Sequence, residues 1–193
     1  MRVLRGRIFC PGGRIVISWK GWRSMRRTWV RVLLWVCVTL NAAMIFAFSG
    51  QNGETSMSVS DSVVVPVVER VHQARPDTPQ KTLESLYWTL QTVVRKGAHF
   101  LEYALLGFLV RLLGESYTWR GRGWIAWGGG TLYAVTDEVH QLFSDGRSAQ
   151  ATDVLIDSAG VLSGVLAAML ILSLTRRLLE AEHKRRNKHA EHS

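Results

Sequence analysis

Residues 95–113 read RKGAHFLEYALLGFLVRLL, and this stretch decides the fold. It opens on two cations, places His99, Glu102 and Tyr103 in its first turns, and then runs apolar to Leu113 with Arg111 as its one interruption. At about 1.5 Å per residue, Gly97 to Leu113 makes a helix just long enough for a hydrocarbon core of roughly 30 Å. An ionisable group at the centre of such a helix costs roughly 2.5–3.5 kcal/mol, so the polar residues are expected to be paired, cavity-facing and functional.

Three further segments have the same character. Residues 29–48 are apolar and end in Ser49-Gly50-Gln51, which reads as an anchor and lacks a small-x-small cleavage site. Residues 123–142 contain Gly128-Gly129-Gly130 and turn polar at Thr136, while residues 154–174 leave into Arg176-Arg177. The predicted fold is all-α: a polytopic membrane protein with a bundle of four transmembrane helices. An amphipathic helix is predicted between the first two spans. In residues 79–94 Leu83, Leu86, Tyr87, Leu90, Val93 and Val94 fall at helical spacing, with Thr78 and Pro79 as N-cap and first helical residue. It is expected to lie on the bilayer surface and run into the second span. Upstream, Val63–Val68 is an apolar run broken by Pro66, expected as a short interfacial element.

Charge fixes the expected orientation. The net charge of +9 is concentrated at the ends, since residues 1–31 carry nine Lys and Arg and no Asp or Glu. Arg176, Arg177, Lys184, Arg185, Arg186 and Lys188 follow the last span. Basic runs beside apolar segments are the signature of cytoplasmic ends, which accounts for the charge without a nucleic-acid partner. Residues 1–28 and 176–193 are read as basic cytoplasmic tails around a membrane domain at 29–175, with Met25 as an alternative start. Arg120 and Arg122 make the connection between the second and third spans cytoplasmic as well. The chain is thus expected in a bacterial cytoplasmic membrane, multi-pass, with both termini inside. Two cysteines, Cys10 and Cys37, provide no disulfide framework.

In that topology the polar residues converge. The second span begins outside at Lys96, His99, Glu102 and Tyr103, the third ends outside at Asp137, Glu138 and Gln141, and the fourth begins outside at Asp153 and Asp157. Arg147 lies in the preceding loop. Spacings of three and four put each set on one helix face. Gly160 and Gly164 form a small-xxx-small patch below Asp157 where helices approach closely. Lys96 and Arg147 are natural partners for phosphate or carboxylate. Glu102, Glu138, Asp153 and Asp157 would hold them and the helices in place.

Nucleotide-loop, nucleophile-elbow and zinc-protease motifs are absent from the sequence, and the His99–Glu102 spacing is too loose a ligand set to predict a metal. No cofactor is expected. His99 as a general base oriented by Glu102 is the one catalytic pair the residues suggest. Interfacial anchoring of Lys96 and a bracing ion-pair cluster are the non-catalytic alternatives.

Several motifs in order resemble the VanZ-like family of small membrane proteins: Phe48-Ser49-Gly50-Gln51, Arg95-Lys96-x-Ala98-His99-Phe100-x-Glu102-Tyr103, Asp137-Glu138-x-His140-Gln141-x-Phe143, Gly146-Arg147-Ser148, and Asp153-x-x-x-Asp157-x-x-Gly160. Gly50 departs from a serine common in that family. The resemblance covers roughly residues 30–175. It implies a role at the cell envelope, because the family is named for a protein that lowers susceptibility to teicoplanin, and it assigns no reaction. The expected partners are the bilayer and an anionic envelope lipid, lipid-linked precursor or glycopeptide at the outer face.

Overall fold

Apolar side chains at helical spacing, with polar loops between them, produce a chain made of helices. The computed structural model describes residues 19–50, 53–117, 119–143 and 150–191. The helices are α1 (Trp19–Ser49), α2 (Gly53–Ala74), α3 (Gln80–Tyr117), α4 (Arg122–Gln141) and α5 (Ala151–Glu191).

Among the described residues, three stretches are long and apolar enough to cross a membrane: Arg27–Ser49, Gln80–Tyr117 and Ala151–Asn187. The expected number was four. The helix that falls short is α4, where Gly128, Gly129, Gly130, Thr131, Thr136, Asp137 and Glu138 dilute the apolar character of a 20-residue helix. Its packing is nevertheless that of a bundle member. It leaves the α3–α4 turn at Gly121, which takes a left-handed φ of 66°. It then returns along α5, with Trp127 Nε1 donating to Ser158 Oγ at 3.2 Å and Thr131 paired with the same hydroxyl at 2.9 Å.

Cross-contacts set the directions. Lys96, midway along α3, pairs with Asp153 in the first turn of α5, and Glu115 near the end of α3 pairs with Arg176 further along α5, so these two helices run the same way. Arg31 donates to the Ser116 carbonyl through Nε and Nη2 at 3.2 and 2.8 Å, and its guanidinium lies 4.4 Å from the Tyr117 ring centre. Near the other end of α1, Phe46 stacks on His140 at 4.1 Å. Helices α1 and α4 therefore run opposite to α3 and α5. The basic start of α1 and the basic extension of α5 share one end of the bundle, and the acidic layer occupies the other.

The α3–α5 contact is the closest in the molecule. A methyl group at Gly160 would collide with the Phe100 carbonyl, one at Gly164 with the Ala104 carbonyl, and one at Gly107 with the Val161 backbone. The small-residue patch read from the sequence is thus the place where two backbones touch. Around it Ile45, Tyr103, Leu106, Ala126, Ala134, Val161 and Val165 form the core. Outward, Trp29, Leu33, Leu40, Leu101, Leu132, Leu155 and Leu170 are all more than half exposed, as a lipid-facing belt requires.

Two expectations between the first spans are corrected. The segment 79–94 does run into the second span, but as the first part of one helix, α3, that is itself long and apolar enough to count as a span, and the Thr78 hydroxyl donates back to the Arg75 carbonyl at 2.8 Å instead of capping. The run around Pro66 is not a short element. Helix α2 continues through Pro66 for 22 residues, because losing one backbone donor is offset by packing on α3. Val64 and Leu83 are buried in this contact region, and Asp61 Oδ1 accepts from Tyr87 Oη at 2.6 Å and from Gln91 Nε2 at 2.5 Å.

Candidate functional site

At the Lys96 end, helical spacing brings the predicted polar residues into one region, and the structure divides them by task. Lys96 Nζ donates to Asp153 Oδ1 at 2.7 Å, joining the polar face of α3 to the first turn of α5. Glu138 Oε1 accepts the backbone N–H of Gln150 at 2.5 Å, which ties the end of α4 to the start of α5. These two contacts position the layer. Arg147 lies outside the described residues, as does Gln51.

Deeper, about ten ångströms along α3 from Lys96 by helical rise, Tyr103 is fully buried. Its hydroxyl faces the Asp137 carboxylate without closing a hydrogen bond, and Asp157 is the second charge acting on it. Asp137 and Asp157 are each only 2% exposed. Both carboxylate oxygens of Asp137 and Oδ1 of Asp157 have no hydrogen-bond partner, and neither does the Tyr103 hydroxyl. Glu102, Asp137, Glu138 and Asp153 all lie within electrostatic reach of Asp157. Gln141 is buried at the same end of α4.

His99 and Glu102 turn toward a different space. Together with Phe48, Ser60, Val63 and Arg95 they line a cavity of about 260 Å³ between α1, α2 and α3. The predicted residues therefore fall into two adjoining groups: a buried carboxylate cluster on α3, α4 and α5, and a side cavity whose outer wall is α2.

The chemistry follows from the inventory. Glu102, Asp137, Glu138, Asp153 and Asp157 supply acceptors, while Lys96 is already engaged by Asp153. Buried carboxylate oxygens without partners are costly, and they are satisfied by a bound donor or cation. Among the described residues no set of three or more His, Cys, Asp or Glu side chains is arranged to hold a metal ion.

A family model described as VanZ/LLP1 matches residues 29–172. The chain belongs to the VanZ/LLP1 family. The VanZ-like region contains every residue of both groups and stops short of Arg176, so the basic extension of α5 lies outside it. No curated protein and no solved structure matches the chain.

Two further polar residues at the helix contacts were not singled out from sequence. Asn41 sits in the apolar part of α1, 4% exposed, with neither amide atom bonded. An asparagine inside an apolar span was the available signal. Tyr133 donates to the Ala42 carbonyl at 2.8 Å and packs against Tyr103. Aromatic residues at helical spacing read as core, and nothing local marked this one.

Proposed function

We propose that this VanZ-like protein is a four-span bundle in a bacterial cytoplasmic membrane with both termini inside. In this reading its carboxylate cluster faces outward and receives donor groups of a polar envelope component, a lipid-linked precursor or a lipoglycopeptide, lowering susceptibility to teicoplanin-type glycopeptides. The observation that carries the reading is Asp137, buried with both carboxylate oxygens unpartnered beside Tyr103 and Asp157. The alternating helix directions and the shared end of the two basic segments support the orientation. Lys96, expected to meet an anion, is better understood as holding Asp153, so amine and amide donors suit the cluster better than phosphate.

The test is teicoplanin susceptibility of a sensitive strain expressing the wild type or the variants Asp137→Asn, Asp157→Asn and Lys96→Ala, at equal membrane content. Protection is expected from the wild type, with loss in both carboxamide variants. Full protection by Asp137→Asn would sink the cluster as the site.

A second reading, an enzyme acting on the same component, draws on one observation: His99 and Glu102 line a common cavity. His99→Gln would then abolish protection while Asp137→Asn retained it.

A further inference from the structure

A second cavity lies at the opposite end of the bundle from the buried carboxylates. It measures about 710 Å³ and lies beside the α3–α4 turn, between α4 and α5. Its wall along α5 is Leu162, Val165, Leu166 and Met169, and its rim is made by Arg111, Arg120 and Arg122. Trp119, Trp124 and Trp127 flank it, the residue type that gathers where hydrocarbon meets headgroups. Leu162, Leu166, Met169 and Trp124 are 42%, 54%, 46% and 75% exposed, so the cavity opens sideways toward lipid.

Two features set it apart from a bare apolar groove. The first is Arg111, only 7% exposed and lining the cavity, whose Nη1 donates to Glu115 at 2.9 Å while its buried Nε has no partner. The second is charge. Glu115 is shared by Arg111, Arg122 and Arg176, which leaves each guanidinium with donors to spare, and Arg120 adds another on the rim. A single carboxylate against four arginines leaves a net positive site. The apolar wall begins at the cationic rim and runs toward the middle of the bundle, the order of groups found in a phospholipid.

We propose that this cavity is a binding site for an anionic phospholipid of the leaflet at the arginine end. Its phosphate would be held by Arg120, Arg122 and the free donor of Arg111, and an acyl chain would lie along Leu162, Leu166 and Met169. Glycine at 123 keeps the track open. A Cβ there would meet Met169 Sδ and Val165 Cγ1 at 3.9 Å, ordinary contact, so a larger side chain fills the cavity without breaking the helix pair.

Native mass spectrometry of the full chain in detergent tests the site, titrating phosphatidylglycerol, phosphatidylcholine and sodium phosphate separately. Discrete saturable binding of phosphatidylglycerol is expected, with phosphatidylcholine and free phosphate at least tenfold weaker. Loss of one arginine, Arg120→Gln, is expected to weaken phosphatidylglycerol binding about fivefold. Gly123→Leu is expected to weaken it at least as much, and Arg177→Gln, at the same end but outside the cavity, to leave it unchanged. Equal binding of phosphatidylcholine would overturn the proposal in favour of a nonspecific lipid annulus. Equal binding of free phosphate would overturn the lipid assignment, and an equal effect of Arg177→Gln would reduce the site to diffuse surface charge.

Discussion

Adjacent acids on α4 are engaged in opposite ways, and their substitution should separate them. Glu138 accepts the Gln150 N–H, so Glu138→Ala is expected to cost about 1.5–3 kcal/mol, the range for a hydrogen bond to a charged group. That appears as a lower melting temperature of the detergent-solubilised protein. Asp137 makes no hydrogen bond, so Asp137→Asn should melt at or above the wild-type temperature while removing its charge from the cluster. A fall matching that of Glu138→Ala would mean Asp137 is bonded after all. Lys96 and Asp153 are partly exposed, and their pair is worth at most about 1 kcal/mol. The double variant Lys96→Asp with Asp153→Lys should regain the melting temperature lost by either single change. Sequence marked both residues but left the partner of Lys96 open among five acids, since spacing orders residues along a helix and cannot reveal which helix lies opposite.

Among the elements, α3 and α5 were the most legible. A four-residue glycine spacing predicted close approach, and the structure supplies the partner, the backbone from Phe100 to Ala104. Gly164→Ala should reduce the yield of monodisperse protein on size exclusion, because the added methyl meets a carbonyl oxygen fixed in a helix. Gly97→Ala meets nothing within 4 Å in the same helix system and should be neutral or stabilising, as removal of a helical glycine usually is. Equal behaviour of the two variants would contradict the close contact. Helix α2 was less legible, because Pro66 normally ends a helix and only tertiary packing carries the chain through it. The join within α3 was legible, because the amphipathic run at 79–94 was expected to lead into the second span.

For the molecule as a whole, charge placed both basic segments on one side, and the helix directions independently put the start of α1 beside the extension of α5. Reporter fusions after Phe48, Gly114, Asp145 and Arg177 are expected to alternate outside, inside, outside, inside. A cytoplasmic signal at Asp145 would mean that α4 does not cross, and would remove the outward-facing cluster from the proposal. This measurement matters most for α4, whose glycines and acids deny it the hydropathy of a span while its contacts give it the path of one. The division of the polar layer into two groups was beyond sequence, since α2 was not recognised as a wall.

The α3–α5 pair also has a mechanical meaning. It is clasped at two points, by Lys96–Asp153 and by Arg176–Glu115, and its backbones interlock between the clasps. Two rods fixed at two points and toothed between them can neither slide nor roll without breaking several contacts together. Helix α2 is fastened to this pair by the two hydrogen bonds that Asp61 receives from α3, and it closes one side of the His99–Glu102 cavity. The molecule is built as a stiff post with a side wall, and Asp61 is the pin that joins them.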